Sequence, residues 1–249
     1  MPDATAAILI IGDEILSGKT RDENAQFLIG ELRELGVSLR RILVIPDRLE
    51  AIEGAVRELS ATYTHVFTSG GVGPTHDDLT MAGVARAFDT EVVRHPELEA
   101  ILRGYYGEKL EERNLRMADV PARATLHRAE GLAWPVIALE NVYVLPGIPA
   151  IFKKKFLAIR ERFRQQPFHL TCIYTRDEEG RIAAHLDRVA EQFSDVSIGS
   201  YPQIVPHPEG GWRVKLTLES KERARVAAAA DALCTLLDPA SIVKVDSAQ

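Results

Sequence analysis

The sequence predicts an α/β protein with a mostly parallel sheet, followed by a small ferredoxin-like α+β domain. Three observations carry this. The runs 6–11, 39–45 and 65–67 are rich in apolar residues, and near-continuous apolar runs mark strands covered on both faces. Stretches with apolar residues at helical spacing separate them, and such β-α alternation implies parallel strands joined by right-handed crossovers. After Arg164-Gln165-Gln166-Pro167 the pattern changes to β-α-β-β-α-β, a recurring α+β unit. The predicted domains are therefore 1–166 and 167–249.

Each element has its own reason. The first strand, 6–11, runs into Gly12-Asp13-Glu14. Ala25, Leu28, Ile29, Leu32 and Leu35 then share one face of a helix over 22–35, and Gly36 supplies its stop. The second strand ends at Pro46-Asp47-Arg48, and Leu49, Ile52, Val56 and Leu59 form the next helix face. The third strand enters a glycine-rich loop, and Met81, Val84, Ala85 and Phe88 follow at helical spacing. A strand at 91–94, a helix from Pro96 and an exposed charged excursion at 108–113 come next. Strands at 134–139 and 141–145 join by a tight turn, and Pro149 opens a helix carrying Ile151, Phe152, Phe156, Ile159 and Phe163. Lys153, Lys154 and Lys155 on that helix read as solvated, the alternative being that one of them meets a ligand phosphate. In the second domain, Trp212, Val214, Leu216 and Leu218 alternate with polar residues, as on a sheet with one wet face.

Composition narrows the function classes. A net charge of −6 argues against nucleic acid as a partner. No apolar run reaches the ~20 residues that span a bilayer, so no membrane is expected. Residues 1–5 carry no basic stretch, so no signal peptide is expected and the expected location is cytoplasmic. Cys172 and Cys234 lack metal-ligand spacing and read as small core residues.

The loop Thr68-Ser69-Gly70-Gly71-Val72-Gly73-Pro74-Thr75-His76-Asp77-Asp78-Leu79-Thr80 carries the chemistry. Strand, glycine loop and helix form an anion site, and Gly70, Gly71 and Gly73 let backbone amides approach a ligand. His76 stands where a dinucleotide fingerprint needs glycine. Asp13 likewise stands where a P-loop ending in Gly18-Lys19-Thr20 needs its first glycine. Asp77 and Asp78 suit the cap and first turn of the following helix. Asp13, Glu14 and Asp47 also follow strand ends, and in open α/β sheets those ends form the ligand crevice. Carboxylates converging there repel unless a cation offsets them. Asp13, Glu14, Asp77 and Asp78 are therefore the candidate metal ligands, and Ser69, Gly70, Gly71, Gly73 and Thr75 the candidate diphosphate cradle.

With these residues in view, the sequence resembles the molybdopterin-binding (MoaB/Mog-like) family. The matching stretches are Gly12-Asp13-Glu14-Ile15-Leu16-Ser17-Gly18 with Asn24, the loop 68–75 with Asp77, Asp78 and Thr80, and 141–149. It is similar to the N-terminal domain of competence/damage-inducible protein A, and still more to the domain fused to eukaryotic FAD synthase. Gly199-Ser200-Tyr201-Pro202 and Lys215-Leu216-Thr217-Leu218 look like the FAD-synthase type. A Gly-Thr-Ala-Pro-Gly-Phe segment usual in the competence type is replaced by 134–140.

The resemblance implies the three-layer molybdopterin-binding-type fold. It implies Asp47 and Asp78 as catalytic positions, and Asn24, Pro146 and Gly147 as further substrate-binding ones. Three functions follow from loop and resemblance together. The first is a divalent-metal-dependent pyrophosphatase acting on FAD or ADP-ribose with magnesium, manganese or cobalt, and potassium as a further ion. The second is a molybdopterin-binding protein of molybdenum cofactor biosynthesis without hydrolysis. The third is a non-catalytic nucleotide sensor. A homo-oligomer, dimer or trimer, is expected from the family.

Overall fold

The computed structural model describes residues 3–205, 207–208 and 210–248, so the readings that touch Met1, Pro2 and Pro206 lie partly outside the described residues. Two compact units divide the chain, 1–165 and 166–249.

The first unit runs β1 (Thr5–Ile11), α1 (Asp13–Leu16), α2 (Asn24–Glu34), β2 (Ser38–Ile45), α3 (Leu49–Thr62), β3 (His65–Ser69) and α4 (Thr80–Ala87). It continues with β4 (Val92–Arg94), α5 (Pro96–Tyr106), α6 (Glu112–Leu115), β5 (Asp119–Pro121), β6 (Thr125–His127), β7 (Val136–Leu139), β8 (Val142–Leu145) and α7 (Pro149–Ile159). The main sheet has the order β2-β1-β3-β8-β7-β6. β1 pairs in parallel with both β2 and β3, and β3 with β8; β7 runs antiparallel to both its neighbours.

Two cores lie on opposite faces of this sheet, which makes three layers. One packs Ile8, Ile10 and Phe67 against Leu28, Leu32, Phe152 and Phe156 of α2 and α7. The other packs Leu9, Ile11 and Val66 against Ile52, Val56, Leu59 and Val84 of α3 and α4. Adjacent strand residues point to opposite faces. That is why every residue of β1 after Thr5 is buried. A third cluster, around Leu98, Leu102, Leu115 and Val120, closes the excursion from α5 to β5.

The short strands β5 and β6 are additions to the sequence reading. They are three residues each, too short for a periodicity to show. Lys155 is a correction. It reads as solvated beside Lys153 and Lys154, yet it is only 7% exposed. The reason is helical phase: Lys155 falls on the buried stripe of α7 with Phe152, Phe156 and Ile159, and it also lines one cavity.

The second unit runs β9 (His169–Thr175), α8 (Glu179–Gln192), β10 (Ser197–Pro202), β11 (Val214–Ser220), α9 (Arg223–Leu236) and β12 (Ile242–Ala248). Its sheet order is β10-β11-β9-β12, all antiparallel. This is the ferredoxin-like arrangement. Its own core joins Ile173, Val214, Leu216 and Leu218 to Ile182, Val189, Val226 and Leu233. Among the described residues, no helix is long and apolar enough to cross a membrane.

Candidate functional site

The site lies where the strand order reverses. From β1 the chain crosses to β2 on one side, then returns past β1 to β3 on the other. Loops leaving β1 and β3 diverge there and leave a crevice at the carboxyl ends. Parallel register aligns those ends: Ile11 stands beside Ile45, and Ile10 beside Ser69. A cavity of about 670 Å³ opens at this rim.

Gly70 and Gly71 build one wall. Gly70 has φ +104°, and a Cβ there would stand 2.1 Å from the Ile11 carbonyl oxygen. Gly71 has φ +64°, and a Cβ there would meet the Thr80 hydroxyl at 2.3 Å. Only glycine combines such φ values with so close a backbone approach. The loop is tied down from below. Thr80 Oγ1 donates to the Gly70 carbonyl at 2.8 Å, and the Thr80 N–H to the Gly71 carbonyl at 3.0 Å. Among the described residues, no acceptor takes the backbone N–H of Gly71, Val72 or Gly73. Those glycines and Val72 line the cavity.

Carboxylates build the opposite character. Glu14, Asp47, Asp77 and Asp78 all line the cavity. Asp47 does not cap α3, whose N-cap is Arg48. Its Oδ2 instead accepts the Asp13 backbone N–H at 2.8 Å, which joins the loops after β1 and β2. Burial holds the Asp47 carboxyl above its ordinary range; the Asp13 amide opposes this, while Glu14, Asp13 and Asp77 add repulsion.

Asp77 and Asp78 do not stand in the first turn of α4, which begins at Thr80 behind an N-cap at Leu79. Asp78 closes its own loop: its Oδ2 accepts the Thr75 N–H at 2.8 Å and the Thr75 hydroxyl at 2.5 Å. The chain prefers this because Gly70 and Gly71 already use the helix start, leaving the aspartates a local turn to satisfy.

The remaining sequence-predicted residues divide in two. Pro146 and Gly147 line the cavity beside Gly70. Asn24, Ser69, Thr75 and Asp13 do not line it and support those that do. Asn24 is buried, and its Nδ2 donates to Ser69 Oγ at 2.9 Å and to the Gly147 carbonyl at 2.8 Å. One amide thus pins the loops after β3 and β8 together. Asp13 contributes its N–H to Asp47 rather than a carboxylate to the cavity.

Sequence reasoning does not reach the apolar wall. Met81, Met117, Trp134, Ile137 and Ile151 line it, with Lys155 beside them. Lys155 Nζ donates to the Trp134 carbonyl at 3.0 Å and the Pro135 carbonyl at 2.6 Å. Burial pulls its pKa down to about 8.

Among the described residues, no group of three or more His, Cys, Asp or Glu is placed to hold a metal ion. The donors therefore do not form an all-protein cage. Four carboxylates around one cavity do fit a cation that arrives with phosphate oxygens, since magnesium takes one or two carboxylates and completes its shell with phosphate and water.

Comparison with known proteins places this geometry. Residues 7–165 match the model described as a probable molybdopterin binding domain, and residues 167–246 the FAD synthase middle domain. A probable FAD synthase from Caenorhabditis elegans is 35% identical over 94% of this chain and 50% of that protein. A CinA-like protein from Parasynechococcus marenigrum is 29% identical over 96% of this chain and 58% of its own length. The chain spans about half the length of the FAD synthase relatives it matches. In structure, the protein CinA of Thermoplasma acidophilum superposes with TM-score 0.60 and 29% identity, covering 65% of this chain and 98% of that one. The match over residues 7–165 takes in more than half of the chain, and the chain belongs to the molybdopterin-binding domain family, with a second unit that matches the FAD synthase middle domain.

Proposed function

We propose that the first unit hydrolyses the diphosphate of a dinucleotide-like substrate, FAD or ADP-ribose, with a divalent cation. The observation that carries this is the meeting of unpaired glycine-loop amides and four carboxylates on one cavity. A diphosphate is the ligand class that needs both. Its oxygens accept from the N–H groups of Gly71, Val72 and Gly73. Its charge would be repelled by Glu14, Asp77 and Asp78 alone, so one or two of these carboxylates would hold a cation brought in with it. That cation, magnesium, manganese or cobalt, would polarise the phosphoryl oxygen and lower the pKa of a bound water.

Asp47 and Asp78 are the groups assigned to the water. Asp47, partly buried and fixed by the Asp13 amide, takes its proton as the new P–O bond forms. Asp78, fixed by Thr75, orients it. The bond between phosphorus and the bridging oxygen breaks, and the leaving phosphate carries the electron pair away. FAD plus water gives FMN and AMP; ADP-ribose plus water gives AMP and ribose 5-phosphate. The name of the FAD synthase relative supports a nucleotide substrate.

The test is chromatographic detection of AMP after incubation with each substrate and each cation. The expected outcome is AMP release from at least one substrate. Asp47→Asn and Asp78→Ala should each lower the rate by roughly 10²-fold or more, the scale of lost acid–base assistance. If neither substrate turns over with any of the three cations, hydrolysis is wrong. The second reading, molybdopterin binding without hydrolysis, would then stand. The apolar wall around Trp134 favours it, because a pterin is a flat ring, and tight pterin binding would be its signature. Either reading carries a homo-oligomer with it, which light scattering on the purified chain checks.

A further inference from the structure

We propose that Lys155 selects the ring of the ligand: it gives one N–H each to the Trp134 and Pro135 carbonyls and offers the third to a carbonyl on a flat heteroaromatic ring lying against the indole. The proposal rests on the ligand-binding cavity described above, and it names the ring class that cavity takes.

Lys155 is an unusual lining group. It is 7% exposed, yet it lines a cavity whose other lining residues include Trp134, Ile137 and Ile151. An ammonium has three donors and no acceptor. Two are taken, by the carbonyls of Trp134 and Pro135 at 3.0 and 2.6 Å. Among the described residues, no acceptor takes the third. A buried donor left without a partner is costly, and the cavity is where a partner can come from.

Position decides what that partner is. The phosphate-binding amides lie on Gly71, Val72 and Gly73, in the loop after β3. Lys155 lies on α7 and holds the Trp134 backbone carbonyl. Both residues line the cavity, so a ring that lies against the indole can be offered the Nζ donor. Aromatic faces favour stacking with flat rings, and Nζ demands an acceptor at the ring edge. A ring carbonyl meets both needs. Flavin and pterin rings carry such carbonyls; adenine carries none and accepts only through its ring nitrogens. Lys155 would therefore favour an oxo-bearing ring over adenine at this wall.

The test uses the full chain without metal, in a Trp212→Phe background so that Trp134 is the sole tryptophan reporter. Riboflavin, 6-hydroxymethylpterin and adenosine are titrated separately, and ring and tryptophan emission are read. None of these probes carries phosphate, so ring binding is measured apart from hydrolysis. The expected result is saturable quenching by riboflavin, by the pterin or by both, tighter than any adenosine binding. Lys155→Met should weaken that binding tenfold or more, and Lys155→Arg should recover part of it. Quenching by riboflavin alone assigns the site to a flavin, and by the pterin alone to a pterin. Wild-type ring affinity in Lys155→Met, or equal binding of adenosine, overturns the proposal. Thermal melts establish that each variant is folded. Should Lys155→Met fail to fold, Trp134→Leu decides the matter: it keeps the lysine and its backbone acceptors but must abolish ring binding. Loss of hydrolysis with ring binding intact would refute the pyrophosphatase reading and leave this one standing.

Discussion

At Gly70 the consequence of a single methyl can be worked out. Its φ of +104° is a region an L side chain avoids, and the added Cβ would overlap the Ile11 carbonyl at 2.1 Å. Backbone strain of this kind costs roughly 1–3 kcal/mol, and the clash adds to it because the obstacle is β1 itself. Gly54 offers the opposite case. It sits mid-helix in α3, exposed, and a methyl added there would find no atom within 4 Å. Alanine there removes the entropy penalty of a helical glycine, about 0.5–1 kcal/mol. Chemical denaturation should show Gly70→Ala destabilised by at least ~2 kcal/mol, or unfolded, by the strain-plus-clash reckoning. The same melts should show Gly54→Ala stabilised by a few tenths to about 1 kcal/mol. Equal behaviour of the two would mean that the loop is not held against β1. The sequence makes Gly70 visible because glycines cluster there, and it makes Asp47 and Asp78 visible because both follow strands. It does not make Lys155 visible. Three consecutive lysines look alike until the helix is phased, and only Lys155 falls on the buried stripe with Phe152, Phe156 and Ile159.

Among the elements, α3 and α4 cross closely because a glycine permits it. A Cβ on Gly83 would stand 2.3 Å from Ile52 Cγ2, inside the core beneath the glycine loop. Over-packing of this type costs about 1–3 kcal/mol. α4 begins at Thr80, whose two hydrogen bonds hold Gly70 and Gly71, so displacing α4 should disturb the loop as well. Gly83→Ala is therefore expected to lose stability and ring binding together. Ile52→Ala removes the obstructing methyl, and a double-mutant cycle should give a favourable coupling of about 1 kcal/mol or more, as contacting sites do. Additive losses would show that the helices do not press on each other at this point. The existence of the elements is largely legible, because β1, β2, β3 and the helices between them repeat a strong pattern. One reading fails for a local reason. Asp77 and Asp78 suit a helix start by residue type, whereas Thr75 takes Asp78 into a turn of its own. Asn141, within the stretch 141–149, likewise serves backbone: its amide donates to the Ser60 and Tyr63 carbonyls at the end of α3. Short polar side chains can serve either backbone or ligand, and composition does not say which.

Over the whole molecule, the question is which part of the chain the site needs. Every residue that lines the cavity falls between Ile11 and Lys155, inside the unit that ends at residue 165. That unit holds cores on both faces of its main sheet, and a further cluster around Leu98 and Val120. The second unit has a core of its own in Ile173, Leu216, Leu233 and their neighbours. Domains with separate cores can fold separately, although small ones bury a lower share of their surface and are more marginal. Residues 1–165 produced alone should therefore melt in one cooperative transition and bind the ring probe within about threefold of the full chain, a difference under ~1 kcal/mol. Residues 166–249 produced alone should show the circular dichroism of a mixed α+β fold and bind none of the probes. Calorimetry on each piece, with titration of riboflavin and the pterin, measures both. A folded first piece that has lost ring binding would mean that the second unit takes part in recognition. An unfolded first piece would mean that the two cores depend on each other despite their separate packing.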